Sequence, residues 1–231
     1  MRVTVFTSNQ LRHIALLDGL VAAGHTVQAV IEPKTMLVPL ETDVLATYWA
    51  KVRHAERQTF LKSPIISCPV MVLRPGELSR LGWLPDLLWH ADRFIVFSSS
   101  YLTGWLCKQL VENRTLNLHV GLAPEYRGSA PNAFAEYDGN RHLIGAQIQL
   151  LSEGLDSGQI LAEVKPGPEG DYFTRSMAAV KLGIDAMVEH IALPFETWRE
   201  FRPNNRAQQI RYSKHSDFTE LIAKTILDGK P

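Results

Sequence analysis

Cysteine is scarce in this chain: Cys68 and Cys107 are the two in 231 residues. Two thiols do not make a disulfide framework, and neither has neighbours at metal-ligand spacing. Both lie in apolar runs, which points to packed thiols. An excess of one charge is missing too. Lys plus Arg total 24 and Asp plus Glu total 24, so the formal net charge is zero. A general electrostatic footprint for nucleic acid is therefore not expected. No apolar run is long enough to span a bilayer, and Met1-Arg2 leads into a strand-like run, not a leader's apolar region. The expectation is a cytoplasmic protein with no membrane partner. The first strand–helix turn lacks Gly-x-Gly-x-x-Gly, which argues against a dinucleotide site. His13, His25, His54, His90, His142, His190 and His215 show no His-x-x-x-His spacing, so no metal is expected.

What is present reads as an ordinary globular chain, 45% hydrophobic and 21% charged. The length suits one large domain, or one domain with a small appendage. We place a catalytic domain at 1–198 and an extension at 199–231, packed on the domain or at a subunit contact, with a homodimer open. Arg2–Phe6 reads as a strand. Leu11, Ile14, Leu17, Leu20 and Val21 follow at helical spacing up to Gly24, and Thr26–Ile31 is a second strand. Strand–helix–strand argues for parallel pairing with right-handed crossovers. Leu45–Leu61 reads as a helix. Ile65–Leu73 reads as a strand interrupted by Pro69, or a strand and a loop. Glu77–Leu88 reads as a helix that Pro85 ends or kinks. Arg93–Phe97 has the unbroken apolar character of a central buried strand. Pro131–Tyr137 is a short helix, Ile144–Leu151 and Gln159–Val164 are strands, and Phe173–Trp198 is the longest helix. The expected fold is α/β: a Rossmann-like, mostly parallel twisted sheet with helices on both faces.

The chemistry concentrates between Thr115 and Ile160. Asn117 and His119 lie two apart in an extended segment, so their side chains share a face. Gly121, Pro124, Gly128 and Pro131 then break regular structure, which puts the pair at a strand end. Ligands in open α/β sheets bind outside such ends. Asp156 follows the Ile144–Leu151 run and occupies a second loop of this kind. An amide, an imidazole and a carboxylate so placed could handle protons beside an oxyanion donor. Each also has a plainer reading: Asn117 as a turn former, His119 as a structural histidine, Asp156 as a turn cap. Ser8, Asn9 and Arg12, at a helix amino end, could hold a phosphate, or Ser8 or Asn9 could simply cap that helix.

Asn117-Leu118-His119, then Leu122-Ala123-Pro124-Glu125-Tyr126-Arg127-Gly128, then Leu155-Asp156-Ser157-Gly158 resemble the signature of the folate-dependent formyltransferases. The similarity covers roughly residues 86 to 165. It implies the formyltransferase fold and 10-formyltetrahydrofolate as co-substrate, with no metal. It also implies catalytic roles for Asn117, His119 and Asp156. Ser98, Ser99, Ser100, Tyr101 and Leu102, with Gly154 and Leu155, match segments that line the family's folate pocket. The same Ser-rich loop could cap the following helix. The opening Thr-Ser-Asn-Gln-x-Arg-His resembles the sugar-nucleotide subgroup. Acceptor contacts are therefore expected from Ser8, Asn9, Gln10 and Arg12, with Tyr126 and Arg127. Arg127 could equally be structural. Methionyl-tRNA members carry a further barrel domain, and about 30 residues after position 198 are too few for one. The expected acceptor is thus a small molecule, a nucleotide-linked amino sugar first. Glycinamide ribonucleotide, an amino acid derivative, hydrolysis of the donor and non-catalytic folate binding are the alternatives.

Overall fold

The computed structural model describes residues 1–34, 42–61 and 66–229. Strands β1 (Arg2–Thr7) and β2 (Thr26–Ile31) are buried along all but their first residue, the mark of strands covered on both faces. Between them runs α1 (Leu11–Ala22), which buries Ile14, Leu17 and Leu20 at helical spacing. Gln10, not Ser8 or Asn9, caps this helix. Gln10 N–H donates to His13 Nδ1 at 3.1 Å in a reciprocal capping box. Ser8 Oγ and Asn9 Oδ1 instead accept from Lys34 N–H. The capping expectation is corrected because these two oxygens face the residues after β2, away from the helix. The helix stops at Gly24, whose φ of 84° suits a residue without a Cβ.

The chain continues through α2 (Asp43–Phe60), β3 (Val70–Val72), α3 (Asp86–Trp89), β4 (Arg93–Val96), α4 (Gly104–Glu112) and β5 (Leu116–His119). Then come β6 (Tyr126–Gly128), α5 (Pro131–Tyr137), β7 (Ala146–Leu150), β8 (Ile160–Val164), α6 (Tyr172–Ile191), β9 (Arg211–Ser213) and α7 (Glu220–Leu227). Among the described residues the main sheet has order β3-β2-β1-β4-β5-β7-β8. It is parallel from β3 to β5, and β7 and β8 join antiparallel. This is the expected α/β, mostly parallel fold.

Three expectations change. The strand at 65–73 shrinks to β3; Pro69, lacking an N–H, contributes its carbonyl to Ala29 N–H at 3.0 Å, and Ile65 lies outside the described residues. The 77–88 helix divides into a 3-10 turn at Leu78–Arg80 and the short α3, with Gly82 and Pro85 between or beside them. The long helix ends at Ile191, because Pro194 disfavours helix in the residue before it. A smaller parallel pair, β6 with β9, is additional: Tyr126–Gly128 reads as a turn in the sequence.

Two apolar layers flank the sheet. Val3, Val5, Ile95, Leu116 and Leu118 pack with Leu17, Val180 and Ile184 on one side. Phe6, Val30, Phe94 and Val96 pack with Leu102, Leu106 and Leu110 on the other. By alternation, Asn117 and His119 face this second side. Residues 199–229 lie against the rest: the Phe218 ring meets Tyr48 and Trp49 at a tilt and Phe134 edge-on, and α7 contacts α2 and α5. No helix among the described residues is long and apolar enough to cross a membrane.

Gly183 lets α6 approach the sheet. A Cβ there would stand 2.8 Å from Ala146 Cβ and 3.0 Å from Leu118 Cδ1. Gly183→Ala sets a helix-propensity gain of up to about 1 kcal/mol against an overpacking cost of about 1–3 kcal/mol. A net loss near 1 kcal/mol lowers Tm by about 2–4 °C. Scanning calorimetry that finds an unchanged or higher Tm would refute this close contact.

Candidate active site

Strands β1, β4 and β5 run parallel, so Ser8 and Ser98 just past their strands and His119 as the last residue of β5 lie at one edge of the sheet. The order reverses between β1 and β4, the crevice where open α/β sheets take ligands. Two side chains tie this edge together. Thr7 Oγ1 donates to Phe97 O at 2.8 Å. The buried Glu32 carboxylate accepts Leu78 N–H at 2.8 Å and Ser100 N–H at 3.1 Å.

His119 and Asp156 meet. Nδ1 of the imidazole lies 3.1 Å from Asp156 Oδ1, with the two side chains 6% and 7% exposed. The other carboxylate oxygen accepts Gly128 N–H at 2.8 Å. Burial works against charge on His119, but the facing carboxylate and the Tyr126 carbonyl together outweigh it and lift the pKa above the ordinary 6.5. Burial likewise opposes charge on Asp156, and His119, Gly128 N–H and Arg127 together bring its pKa below 3.8. The partner carboxylate favours the protonated ring, and a ring that can hold and release a proton has acid–base capacity. Nε2 sits 3.4 Å from Tyr126 O. Asn117 lies on the same strand and face, opposite Gln149, as His119 lies opposite Gln147.

A polar ladder continues beside the pair. Gln149 Nε2 donates to Gln147 Oε1, and Gln147 clasps Ala123 through both its N–H and its carbonyl. Gln147 also donates to Glu163 at 2.9 Å. Glu163 pairs with Arg202 at 2.8 Å, and Arg202 grips Glu125 at 2.8 and 3.0 Å. The loop after His119 is therefore held from both sides.

The remaining expected residues divide. Ser98 takes φ 57° at the end of β4, and Ser99 Oγ donates to Ser100 O. Ser100 Oγ is buried without a partner among the described residues. Leu102 belongs to the core. Tyr101 OH reaches Glu153 O at 3.4 Å, bringing the 98–102 loop to the loop of Gly154 and Leu155. Ser8 is buried and Asn9 exposed at the end of β1. Arg12 and Gln10 are committed inward: Arg12 binds Glu56 at 2.8 Å and also Gln10. Tyr126 directs its hydroxyl to Asp138 and Asn140. Arg127, 4% exposed, donates to Leu155 O and braces the loop before Asp156. Among the described residues no cluster of His, Cys, Asp and Glu could hold a metal.

Residues 95–167 match the formyl transferase family model. The matched segment holds His119 and Asp156 together with β5, β7, β8 and the last two residues of β4. A methionyl-tRNA formyltransferase of Anaeromyxobacter dehalogenans (strain 2CP-1) is 29% identical over 189 residues, spanning 78% of this chain and 54% of that protein. The chain thus spans about half the length of this relative. A sugar N-formyltransferase from Shewanella sp. superposes with TM-score 0.59 at 18% identity, over 94% of this chain and 78% of that one. Formyltransferase PseJ from Anoxybacillus kamchatkensis, solved with UDP-4,6-dideoxy-4-formamido-L-AltNAc and tetrahydrofolate, superposes with TM-score 0.52 at 15% identity, over 94% and 87%. These likenesses establish a shared fold.

Several residues at the site escape sequence reasoning. Gly121 is one: a Cβ there would fall 2.3 Å from Pro131 Cγ and 2.9 Å from His119 Nε2. The sequence marks it only as a break. Glu32, Arg202 and Asn204 carry no signal, since their partners lie far away in the chain.

Asp156→Asn removes the countercharge but leaves the burial. The His119 pKa should fall from above 6.5 to below it, read by NMR titration of the ring. The sign for stability follows. A raised His119 value stabilises the fold fully below pH 6.5, and the gain fades as pH rises through the folded value. A lowered Asp156 value stabilises above pH 3.8 and fades as pH falls through its folded value. The substitution should therefore cost most stability between those limits. An unmoved ring titration would refute the pairing.

Proposed function

We propose that this protein transfers a formyl group from 10-formyltetrahydrofolate to the amino group of a small acceptor, a nucleotide-linked amino sugar foremost. The observation that carries the reading is the buried contact between His119 and Asp156 on the strand and face that also bear Asn117. The fold shared with a sugar N-formyltransferase over 94% of this chain supports the acceptor class.

Formyl transfer needs an unprotonated amine held against a carbonyl carbon. It also needs donors for the oxygen on which negative charge develops. Asn117 supplies an amide N–H there, and loss of one such donor typically costs about 3 kcal/mol in the barrier. His119, protonated and steadied by Asp156, supplies a second positive partner for that oxygen. As the new carbon–nitrogen bond forms, the acceptor nitrogen loses a proton; as the old bond breaks, the folate nitrogen gains one. His119 and Asp156 are placed to relay it. The co-substrate supplies the activated formyl group. Ser98, Ser99, Ser100, Tyr101, Leu102, Gly154 and Leu155 would hold it, and the unpartnered Ser100 Oγ offers a free polar atom in that loop. Ser8 and Asn9, at the neighbouring strand end, are the acceptor side. Arg12, already bound to Glu56 and Gln10, serves there as a brace.

Purified protein given 10-formyltetrahydrofolate should formylate amino-sugar nucleotides faster than glycinamide ribonucleotide or methionyl-tRNA. Preference for either of the latter would overturn the acceptor class. Donor turnover without any amine would favour a hydrolase. His119→Ala should reduce transfer at least 100-fold; activity within tenfold of wild type would remove His119 from the mechanism.

A further inference from the structure

We propose that Asn204, in the segment after α6, is a positioning residue that fixes the loop carrying Asp156 so that its carboxylate lies on His119. Nothing in residues 95–167 includes it; its role comes from the strap that crosses the site. Phe201 N–H donates to Ile160 O at 2.7 Å, bringing the strap alongside β8. Arg202 then locks to Glu163, Glu125 and the carbonyl of Ala123. Two residues on, the Asn204 side-chain amide donates to Asp156 O at 3.0 Å and to Gly158 O at 2.8 Å.

The need for this clamp comes from Asp156 itself. Its φ is 48°, a left-handed conformation that Asp and Asn reach more readily than other L residues but that still leaves the turn dependent on its hydrogen bonds. In that conformation the carboxylate spans two targets, His119 Nδ1 and Gly128 N–H. The Asp156 carbonyl is held separately, by Asn204. An amide NH2 group has two donors, and both are used on the two carbonyls flanking the turn. Asn204 Oδ1 is buried with no partner among the described residues, so the side chain is placed by its donors. Arg127 braces the same turn one residue earlier, through Leu155 O. The charged groups acting on the His119 ring are Asp156 and, with opposite sign, Arg127. A shift of the turn therefore registers in the ring.

The inference rests on the proposed role of the His119–Asp156 pair, but its test does not require turnover. The His119 ring is titrated by NMR in wild type, Asn204→Ala and Asn205→Ala. The Asn204→Ala ring pKa should move toward that of Asp156→Asn, while Asn205→Ala, whose side chain among the described residues accepts from Ala207 N–H alone, leaves it in place. In the formylation assay kcat should fall about tenfold with the KM for the donor within twofold. An unmoved ring in folded Asn204→Ala, or an equal shift in both variants, overturns the proposal. Should Asn204→Ala not fold, the unmodified protein decides. Its Asn204 side-chain amide signals must shift with the pH midpoint of His119, and a flat response overturns the proposal. If the ring moves as stated yet no variant or wild type transfers formyl groups, the positioning stands and the formyl transfer reading falls.

Discussion

A carboxylate taken out of water must be compensated at every lone pair it loses, and Asp156 is compensated by an imidazole and a backbone N–H. Removing two charges from solvent is expensive unless hydrogen bonding is complete. That demand dictates much of the surrounding structure. Gly128 has to present its N–H, which it does at φ 92° with its backbone pressed on Ser213; a Cβ there would meet Ser213 O at 2.1 Å. Gly121 has to leave room for the ring. The loop between them, from Val120 to Glu125, has to stay where Gln147 and Arg202 hold it.

The same demand explains why the interior beside β5 and β7 is polar. Leu116, Leu118 and Ile148 present an apolar face to α6, while Asn117, His119, Gln147 and Gln149 present amides and a ring to the other side. Buried polar groups are tolerated when they satisfy one another. The ladder from Gln149 to Glu125 does so through side chains of two strands and the strap. A cavity of about 400 Å³ lined by Leu116, Ile148, His190 and Trp198 lies on the apolar side, away from this chemistry.

The architecture was largely legible because it is local. Strand β1, helix α1 and strand β2 announce themselves by spacing, and Gly24 marks the break between them. The Arg93–Phe97 run is apolar at every position except its first because β4 is covered on both faces. Asn117, His119 and Asp156 stand out because strand ends and turn residues surround them. What stayed hidden is non-local. Glu77–Leu88 has helical composition, yet Gly82 and Pro85 divide it. Gln10 caps α1 through a histidine, a pairing that the Ser-Asn before it conceals. Arg12 looks like a free cation until Glu56, 44 residues on, is brought beside it. Asn204 sits in a polar stretch whose composition suggests nothing.

The parallel pairing of β6 with β9 joins residues separated by more than 80 positions. Parallel neighbours need a long connection, and this one encloses β7, β8 and α6. A growing chain that has reached α6 already contains the ring, the carboxylate and the sheet. It still lacks the strand that closes over Gly128 and the amide that clasps the turn. The buried pair of His119 and Asp156 thus draws its outer bracing from residues beyond α6, far along the chain from the strands that carry it.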